Sequence, residues 1–188
     1  PGSRLRIFHA DPRSCSIHCR DDPATRFLQG FFAVAEISPP VQCFCMSRIS
    51  ISLPGRFVFA TEIPVRISDV NYGNHLGNDS VLSLLHEARM RFLAQFGYTE
   101  AEAGGVGMLM VDAAVQYVAQ SVYADPLRIE LATGDWTRSG FDVLYRVSNR
   151  DSGREVARAK TGMRFYDYAR GRVARVPDGI RRQFEGGA

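Results

Sequence analysis

One segment with helical periodicity, set among segments with a period of two, most constrains the fold of this chain. Apolar residues recur at helical spacing over residues 78–96, which predicts an amphipathic helix with one buried stripe. Apolar and polar residues alternate over residues 127–131, 141–147 and 155–165. This alternation is typical of antiparallel strands that have one solvated face.

Two further strands are predicted on either side of the helix. Residues 57–67 are interrupted by Pro64, which indicates an edge strand or a bulge. Residues 108–118 are largely apolar, so we expect them to be buried on both faces. A short helix is predicted over residues 177–184. One long helix beside about five antiparallel strands indicates an α+β fold in which the helix packs against the sheet.

The composition excludes several classes of protein. The chain has 188 residues, 45% of them hydrophobic, which suits a single domain with a sizeable core. Its 23 basic and 20 acidic residues form no block of like charge, so we expect no nucleic-acid partner. Without an apolar run long enough to span a bilayer, we expect no membrane partner and a cytoplasmic location.

The first 45 residues differ from the rest, because they hold all four cysteines. We therefore divide the chain into an N-terminal extension over residues 1–45 and a domain over residues 46–188. The extension is expected to be poorly ordered or to lie upstream of the natural start. Its cysteine spacings fit a zinc site poorly, and we expect no metal. The candidate ligands considered are His9, Cys15, His18, Cys19, Cys43 and Cys45.

No common catalytic motif is present. The sequence contains no GxSxG elbow, no Walker loop and no GxGxxG, so neither a serine hydrolase of that type nor a nucleotide cofactor is indicated. What remains is the stretch DVNYGNHLGND at residues 69–79, directly before the helix. The start of a helix offers unpaired N–H groups that can stabilise an oxyanion. A plain loop and helix cap, built from Asn, Asp and Gly, would also account for this composition.

Residues 69–78, followed by His86-Glu87-Ala88-Arg89, resemble the 4-hydroxybenzoyl-CoA thioesterase-like branch of the hotdog superfamily. That branch usually carries D-x-D-x-x-G-H-V-N-N and then a helix with E-A-R. The resemblance extends over residues 57–184. It implies a hotdog fold, in which a curved antiparallel sheet of about five strands wraps a long central helix. It also implies a homodimer or homotetramer with acyl-CoA tunnels at the subunit interface.

The implied reaction is hydrolysis of an acyl-CoA or an acyl carrier protein thioester to a free acid and a thiol. Coenzyme A would be part of the substrate, and no cofactor is expected. Asn71 stands where the family usually has a second Asp, so the base must be Asp69, Glu87 or His75. We favour Asp69 or Glu87 acting through a water molecule, with Asn71 and His75 orienting water and carbonyl.

Backbone groups from Gly73 to Gly77 are expected to form the oxyanion hole, with Asn74 and Asn78 as further substrate contacts. Each assignment has a structural alternative. Glu87 and Arg91 have the spacing of a helical surface pair. His75 would then be a loop residue, and Asp69 a turn cap. His86 is interpreted as a residue of the helix surface.

Two other functions stay open. Enoyl-CoA hydratases on the same fold carry D-x-N-P-x-H, and Asp69-Val70-Asn71 resembles the start of that motif. However, Tyr72 replaces the proline, and His75 lies one position too late. A non-catalytic acyl-CoA binding protein would tolerate Asn71 in place of the carboxylate.

Overall fold

The computed structural model describes residues 49–186, and the predicted N-terminal extension with its candidate metal ligands lies outside them. These residues form one antiparallel sheet, two α-helices and a one-turn 3-10 helix at Ile67–Asp69. The strands are β1 Phe59–Pro64, β2 Gly107–Tyr117, β3 Pro126–Gly134, β4 Gly140–Asn149, β5 Glu155–Asp167 and β6 Arg172–Val173. The helices are α1 Asn78–Ala94 and α2 Ile180–Gly186.

The sheet has the order β1-β3-β4-β5-β2, and the two-residue β6 pairs with the end of β5. All of these pairs are antiparallel, as the alternating pattern predicted. Strand β1 is at an edge and ends at Pro64, which agrees with the position expected for a residue that has no backbone N–H. The short β6 brings the sheet to six strands rather than five.

Helix α1 buries one stripe of its surface, and it ends two residues earlier than predicted. Its 17 residues make it about 26 Å long. The chain leaves the helix through Gly97, whose φ of 74° is the left-handed conformation that suits a glycine. The buried residues of α1 are Val81, Leu84, Leu85, Ala88, Arg89, Phe92 and Leu93.

Helix α2 closes the core through one aromatic side chain. The ring of Phe184 lies 5.0 Å from that of Phe92 on α1 and 5.6 Å from that of Phe141 on β4. It therefore joins the helix layer to the sheet, at distances typical of interacting aromatic pairs. The helix begins at Ile180, three residues later than predicted.

Strand β2 differs most from its prediction. Met108 is buried, but Val111 is 54% exposed and Tyr117 is 49% exposed. The strand is the last one in the sheet, so one side of it has no neighbouring strand among residues 49–186. Its pairing with β5 shifts between Met110 and Asp112, which marks a β-bulge. The expected burial on both faces was wrong, because apolar composition does not distinguish a core strand from an exposed edge.

Candidate active site

The loop before α1 is a closed turn built around Asn71. An isolated antiparallel bridge joins Val70 to Leu76 and closes the loop. Within it, the Asn71 side-chain Oδ1 accepts hydrogen bonds from the backbone N–H of Gly73 at 2.9 Å and of His75 at 3.3 Å. This is an Asx-type turn, in which a side chain replaces a backbone acceptor. Asn71 therefore sets the loop conformation and leaves its own Nδ2 group free to donate.

One backbone hydrogen bond holds this loop against the rest of the domain, and a second closes the loop on itself. Leu76 N–H donates to Ser121 O at 2.8 Å, and Gly77 N–H donates to Asp69 O at 2.8 Å. A Cβ on Gly77 would lie 2.6 Å from Asp79 Oδ1, which is the end of a side chain that can rotate away. The position of the loop thus depends on the β2–β3 connection.

Helix α1 starts with free N–H groups. Gly77 occupies the N-cap position and has no side chain to cap the helix. Val81 N–H reaches Gly77 O at 3.2 Å. Within residues 49–186, no acceptor is bonded to the N–H groups of residues 78–80. The positive end of α1 is therefore open to an oxyanion.

The amides predicted to form the oxyanion hole are already used inside the loop. Gly73 donates to Asn71 Oδ1, Asn74 donates to Asn71 O at 3.0 Å, and Gly77 donates to Asp69 O. The free donors lie just beyond them, at the first three helical residues. This moves the candidate oxyanion site from residues 73–77 to residues 78–80.

A cavity of about 280 Å³, here called the loop cavity, lies beside the start of α1. Its polar lining includes Asn71, His75, Asn78 and Tyr117. Its apolar lining comes from Leu76, Val81, Val118 and Val156. The structure thus brings together three of the predicted site residues next to an apolar wall. A pocket of this kind, with few polar groups in an apolar surface, is typical of a small-molecule site.

Tyr117, at the end of β2, is a member of this cavity that the sequence did not indicate. Its hydroxyl donates to Asn78 O at 2.9 Å, so it ties β2 to the first turn of α1. Partial burial raises the pKa of Tyr117, and the nearby Asp79 carboxylate raises it further. The phenol therefore stays protonated at neutral pH and acts as a donor. Residues 78 and 117 are far apart in sequence, so only the tertiary fold reveals the pair.

Asp69 does not line the loop cavity. Its side chain is buried, and Arg66 binds both of its oxygens. The hydrogen bonds from Arg66 hold the pKa of Asp69 below its usual range, against the opposing effect of burial. A carboxylate with a lowered pKa and occupied oxygens is a poor acceptor for a proton from water. This geometry favours the alternative in which Asp69 caps a turn.

Glu87 lies on a different side of α1. Its Oε1 accepts from Arg91 Nε at 2.8 Å, and Arg91 also donates to Glu62 O on β1 at 3.0 Å. Glu87 is exposed and takes no part in the lining of the loop cavity. Of the four predicted catalytic residues, the fold therefore brings Asn71 and His75 together, and it places Asp69 and Glu87 elsewhere.

Two further features concern the described residues alone. No three His, Cys, Asp or Glu side chains between residues 49 and 186 cluster closely enough to hold a metal ion. No helix in that part of the chain is long and apolar enough to cross a membrane.

The comparison with protein families gives a match over most of the chain. A family model described as the thioesterase-like superfamily matches residues 65–184. This region contains the Asn71 loop, helix α1, the strands from β2 to β6 and the first five residues of α2. The match confirms the resemblance predicted from residues 69–78. No curated protein sequence matches the chain.

Solved structures with the same fold include several thioesterases. A 1,4-dihydroxy-2-naphthoyl-CoA thioesterase from Synechocystis is 21% identical, with a TM-score of 0.59 over 63% of this chain and 89% of that one. A thioesterase from Thermus thermophilus complexed with coenzyme A and Zn is 22% identical, with a TM-score of 0.61 over 69% and 93%. A Staphylococcus aureus protein in complex with CoA is 12% identical, with a TM-score of 0.61 over 71% and 84%. These likenesses show the hotdog fold.

Proposed function

This chain belongs to the thioesterase-like superfamily, and we propose that it hydrolyses the thioester of an acyl-CoA to a free acid and coenzyme A. The observation that carries the proposal is the loop cavity, in which His75 and Asn71 lie beside the open start of α1. An imidazole to activate water and unpaired backbone N–H groups to stabilise an oxyanion are the parts that acyl transfer to water requires.

The carbonyl oxygen would be bound by the N–H groups of residues 78–80. Charge develops on this oxygen when water attacks, and unpaired helix N–H groups stabilise such charge. Removing one donor from an oxyanion site of this kind costs on the order of 100-fold or more in rate. Tyr117 supports the arrangement, because its bond to Asn78 O holds the first turn of α1 beside the cavity.

His75 would act as the general base. It is the titratable member of the four predicted catalytic residues that lines the cavity. The imidazole would accept a proton from water while the hydroxide attacks the carbonyl carbon. The C–S bond would then break, and the thiolate would receive the proton from the imidazolium. Assistance by a carboxylate would be indirect, since Asp69 holds the loop through its backbone oxygen and its bond to Arg66.

Coenzyme A is the favoured carrier. Two of the similar structures were solved with coenzyme A bound, which supports an acyl-CoA substrate over an acyl carrier protein. The apolar wall formed by Val81, Val118 and Val156 would contact the acyl group. An apolar wall discriminates among acyl groups mainly by size, because each methylene contributes about 0.8 kcal/mol on burial.

We further propose that two copies of the chain pair along the edge of β2. This edge strand carries the exposed apolar residues Met110, Val111 and Tyr117. An exposed apolar edge strand is a surface that natural proteins usually cover. Val111→Lys should convert a dimer to a monomer in size-exclusion chromatography with light scattering. Val173→Lys is the matched control, since Val173 is equally exposed but lies on β6. A wild-type monomer, or a Val111→Lys dimer, would contradict the pairing.

The test of the reaction is thiol release from acetyl-, hexanoyl-, palmitoyl- and benzoyl-CoA by the full chain. A blank with protein alone is needed, because the chain has four cysteines of its own. His75→Gln should lower kcat/KM by roughly 100-fold or more, the usual contribution of a general base. Glu185→Gln serves as the control, because Glu185 forms an exposed ion pair with Arg181 on α2. Its kcat/KM should stay within about twofold of the wild-type value.

Other results in these assays would favour a different function or a different general base. Loss of the enoyl absorbance of crotonyl-CoA without thiol release would indicate a hydratase. Binding of an acyl-CoA in calorimetry, with neither reaction, would indicate a binding protein. Thiol release that survives His75→Gln would keep the thioesterase and remove His75 as its base.

A further inference from the structure

The β2–β3 connection, residues 118–125, is attached to the chain just before the Asn71 loop. Val65 N–H donates to Asp125 O, and Ala124 N–H donates to Val65 O, both at 3.0 Å. Val65 is buried, so this attachment lies inside the domain. The start of the segment that leads into the Asn71 loop is therefore fixed by two neighbouring residues of the connection.

The same connection is attached to the end of that segment. Leu76 N–H donates to Ser121 O at 2.8 Å, and Ser121 is buried. His75, the proposed base, directly precedes Leu76 in the chain. Residues 66–75 thus run between two attachment points on one connection. The position of the imidazole depends on how these two points are placed relative to each other.

The side chain of Asp125 joins the two attachment points. Its Oδ2 accepts from the Ser121 hydroxyl at 2.7 Å and from Val122 N–H at 3.0 Å. The backbone oxygen of Asp125 holds Val65, and the backbone oxygen of Ser121 holds Leu76. One carboxylate therefore closes a continuous set of hydrogen bonds that reaches from one end of residues 66–75 to the other.

The contacts of Asp125 are those of an ionised group. The hydrogen bonds from Ser121 and Val122 hold the pKa of Asp125 below its usual range, against the opposing effect of burial. Hydrogen bonds to an ionised acceptor are roughly twice as strong as those between neutral groups. The neighbouring Ala124 has a φ of 66°, a left-handed conformation that is unfavourable for a residue with a Cβ. Such a conformation persists where the surrounding contacts determine it.

We propose that Asp125 is a positioning residue, which acts through Ser121 to hold His75 beside the start of α1. This inference rests on the proposed function, in which His75 takes the proton from water. A base must lie within hydrogen-bond reach of that water, and a displacement of about 1 Å can cost on the order of 100-fold in rate. Asp125 is not among the residues that line the loop cavity, so it affects the reaction without touching the substrate.

The first test is thiol release from the best acyl-CoA by full-length variants. Asp125→Ala removes both side-chain hydrogen bonds, so kcat should fall by roughly tenfold while KM stays within about threefold. Asp125→Asn should keep kcat within about threefold of wild type, because both bonds end on one oxygen and an amide oxygen can accept them. Ser121→Ala removes the hydroxyl bond alone and gives a second test if Asp125→Ala does not fold. Its kcat should fall by roughly threefold.

Asp167→Ala is the matched control. Asp167 Oδ1 accepts from Arg170 N–H at 3.0 Å, so it also closes a turn through its carboxylate. This turn follows β5, and neither of its two residues lines the loop cavity. Loss of its hydrogen bond should lower the melting temperature and leave kcat unchanged. All kinetics are measured below the melting temperature of each variant.

The second test needs no substrate. Amide hydrogen exchange at Leu76, resolved by NMR of the full chain, reports the bond from Leu76 N–H to Ser121 O. Exchange should be at least roughly tenfold faster in Asp125→Ala than in wild type and unchanged in Asp125→Asn.

Three results would contradict the inference. If Asp125→Ala keeps more than half of the wild-type kcat, Asp125 stabilises the fold alone. If Asp125→Asn is as slow as Asp125→Ala, the charge and not the hydrogen bonds is responsible. Equal exchange at Leu76 in wild type and Asp125→Ala would show that the carboxylate does not hold the loop. A wild type that releases no thiol would remove the proposed function, and the exchange at Leu76 would then decide whether Asp125 positions His75.

Discussion

Arg66 binds both side-chain oxygens of Asp69, with Nε 3.0 Å from Oδ2 and Nη2 3.0 Å from Oδ1. The backbone N–H of Arg66 adds a third hydrogen bond to Oδ2 at 2.8 Å. The carboxylate that stands first in the family motif is therefore committed to a turn. Its role is to hold the chain that leads into the Asn71 loop.

Asp69→Asn should lower the free energy of unfolding by about 1 kcal/mol at pH 7, a modest value because the arginine is solvated. Arg66 lowers the pKa of Asp69 in the folded state, so the contribution is complete above the unfolded-state pKa of about 3.9. It is lost as the pH falls through the folded pKa. Urea unfolding of both proteins at pH 7, 5 and 3 measures this. An equal difference at all three pH values would contradict the ion pair.

Asn71 should tolerate aspartate but not alanine. Asp retains an acceptor for the N–H groups of Gly73 and His75 and places a carboxylate near the imidazole, so kcat/KM should rise several-fold. Ala removes both hydrogen bonds and should cost about 1 kcal/mol, or roughly 2–4 °C in Tm. It should also lower kcat/KM by about tenfold. Thiol-release kinetics and thermal melts check both variants. A loss of activity in Asn71→Asp would show that the Nδ2 donor is required.

Tyr117→Phe should lower kcat more than it raises KM, by roughly threefold to tenfold. The change removes one hydrogen bond to Asn78 O and leaves the ring, so the first turn of α1 is held less firmly. The measurement is a full kinetic curve with the best acyl-CoA. Tyr123→Phe is the matched control, because Tyr123 is exposed outside the loop cavity. Equal effects of the two changes would show that the Tyr117 hydroxyl has no role.

Glu87→Ala tests the base expected from the sequence. Since Glu87 pairs with Arg91 against β1, we expect thiol release to change by less than about threefold. An exposed pair at this spacing contributes only a few tenths of a kcal/mol to stability. A tenfold fall in kcat with an unchanged melting curve would restore Glu87 as the base, through a rearrangement absent from this structure.

Glu100→Ala should destabilise the fold by about 2 kcal/mol, which corresponds to roughly 4–8 °C in Tm. The change leaves the charge of Arg89 without its carboxylate partner in a buried position. Arg89→Met with Glu100→Gln removes both charges and should recover part of the loss. Differential scanning calorimetry measures each variant. Without such recovery, the loss would come from the loop geometry at Glu100 and not from the unpaired charge.

The periodicity of the sequence predicted α1 and the strands β3 to β5, because these elements bury one face against a single core. The same reasoning failed for β2, since Val111 and Tyr117 have the composition of core residues but lie at an edge. Hydrophobicity reports that a surface avoids water. It does not indicate whether the atoms that cover such a surface belong to the same chain or to another one.

Local spacing also predicted part of the site. The four-residue spacing of Glu87 and Arg91 predicted their ion pair, and the Asn-rich loop predicted a turn. Tyr117 and Glu100 could not be predicted in this way. Each meets its partner across 14 residues or more, at Asn78 O and His86 respectively, so the contact depends on strand pairing and loop closure.

The bulge in β2 divides its edge into two segments, Gly107 to Met110 and Asp112 to Tyr117. Their hydrogen-bonding groups do not follow one straight line, because a bulge bends and twists the strand that contains it. A foreign strand cannot align with the whole edge in several registers, as it could with a flat one. The bulge therefore restricts the register in which another strand can pair with this edge. It leaves the edge open to a strand that carries the matching break, which a second copy of the chain supplies, and it disfavours open-ended stacking into fibres.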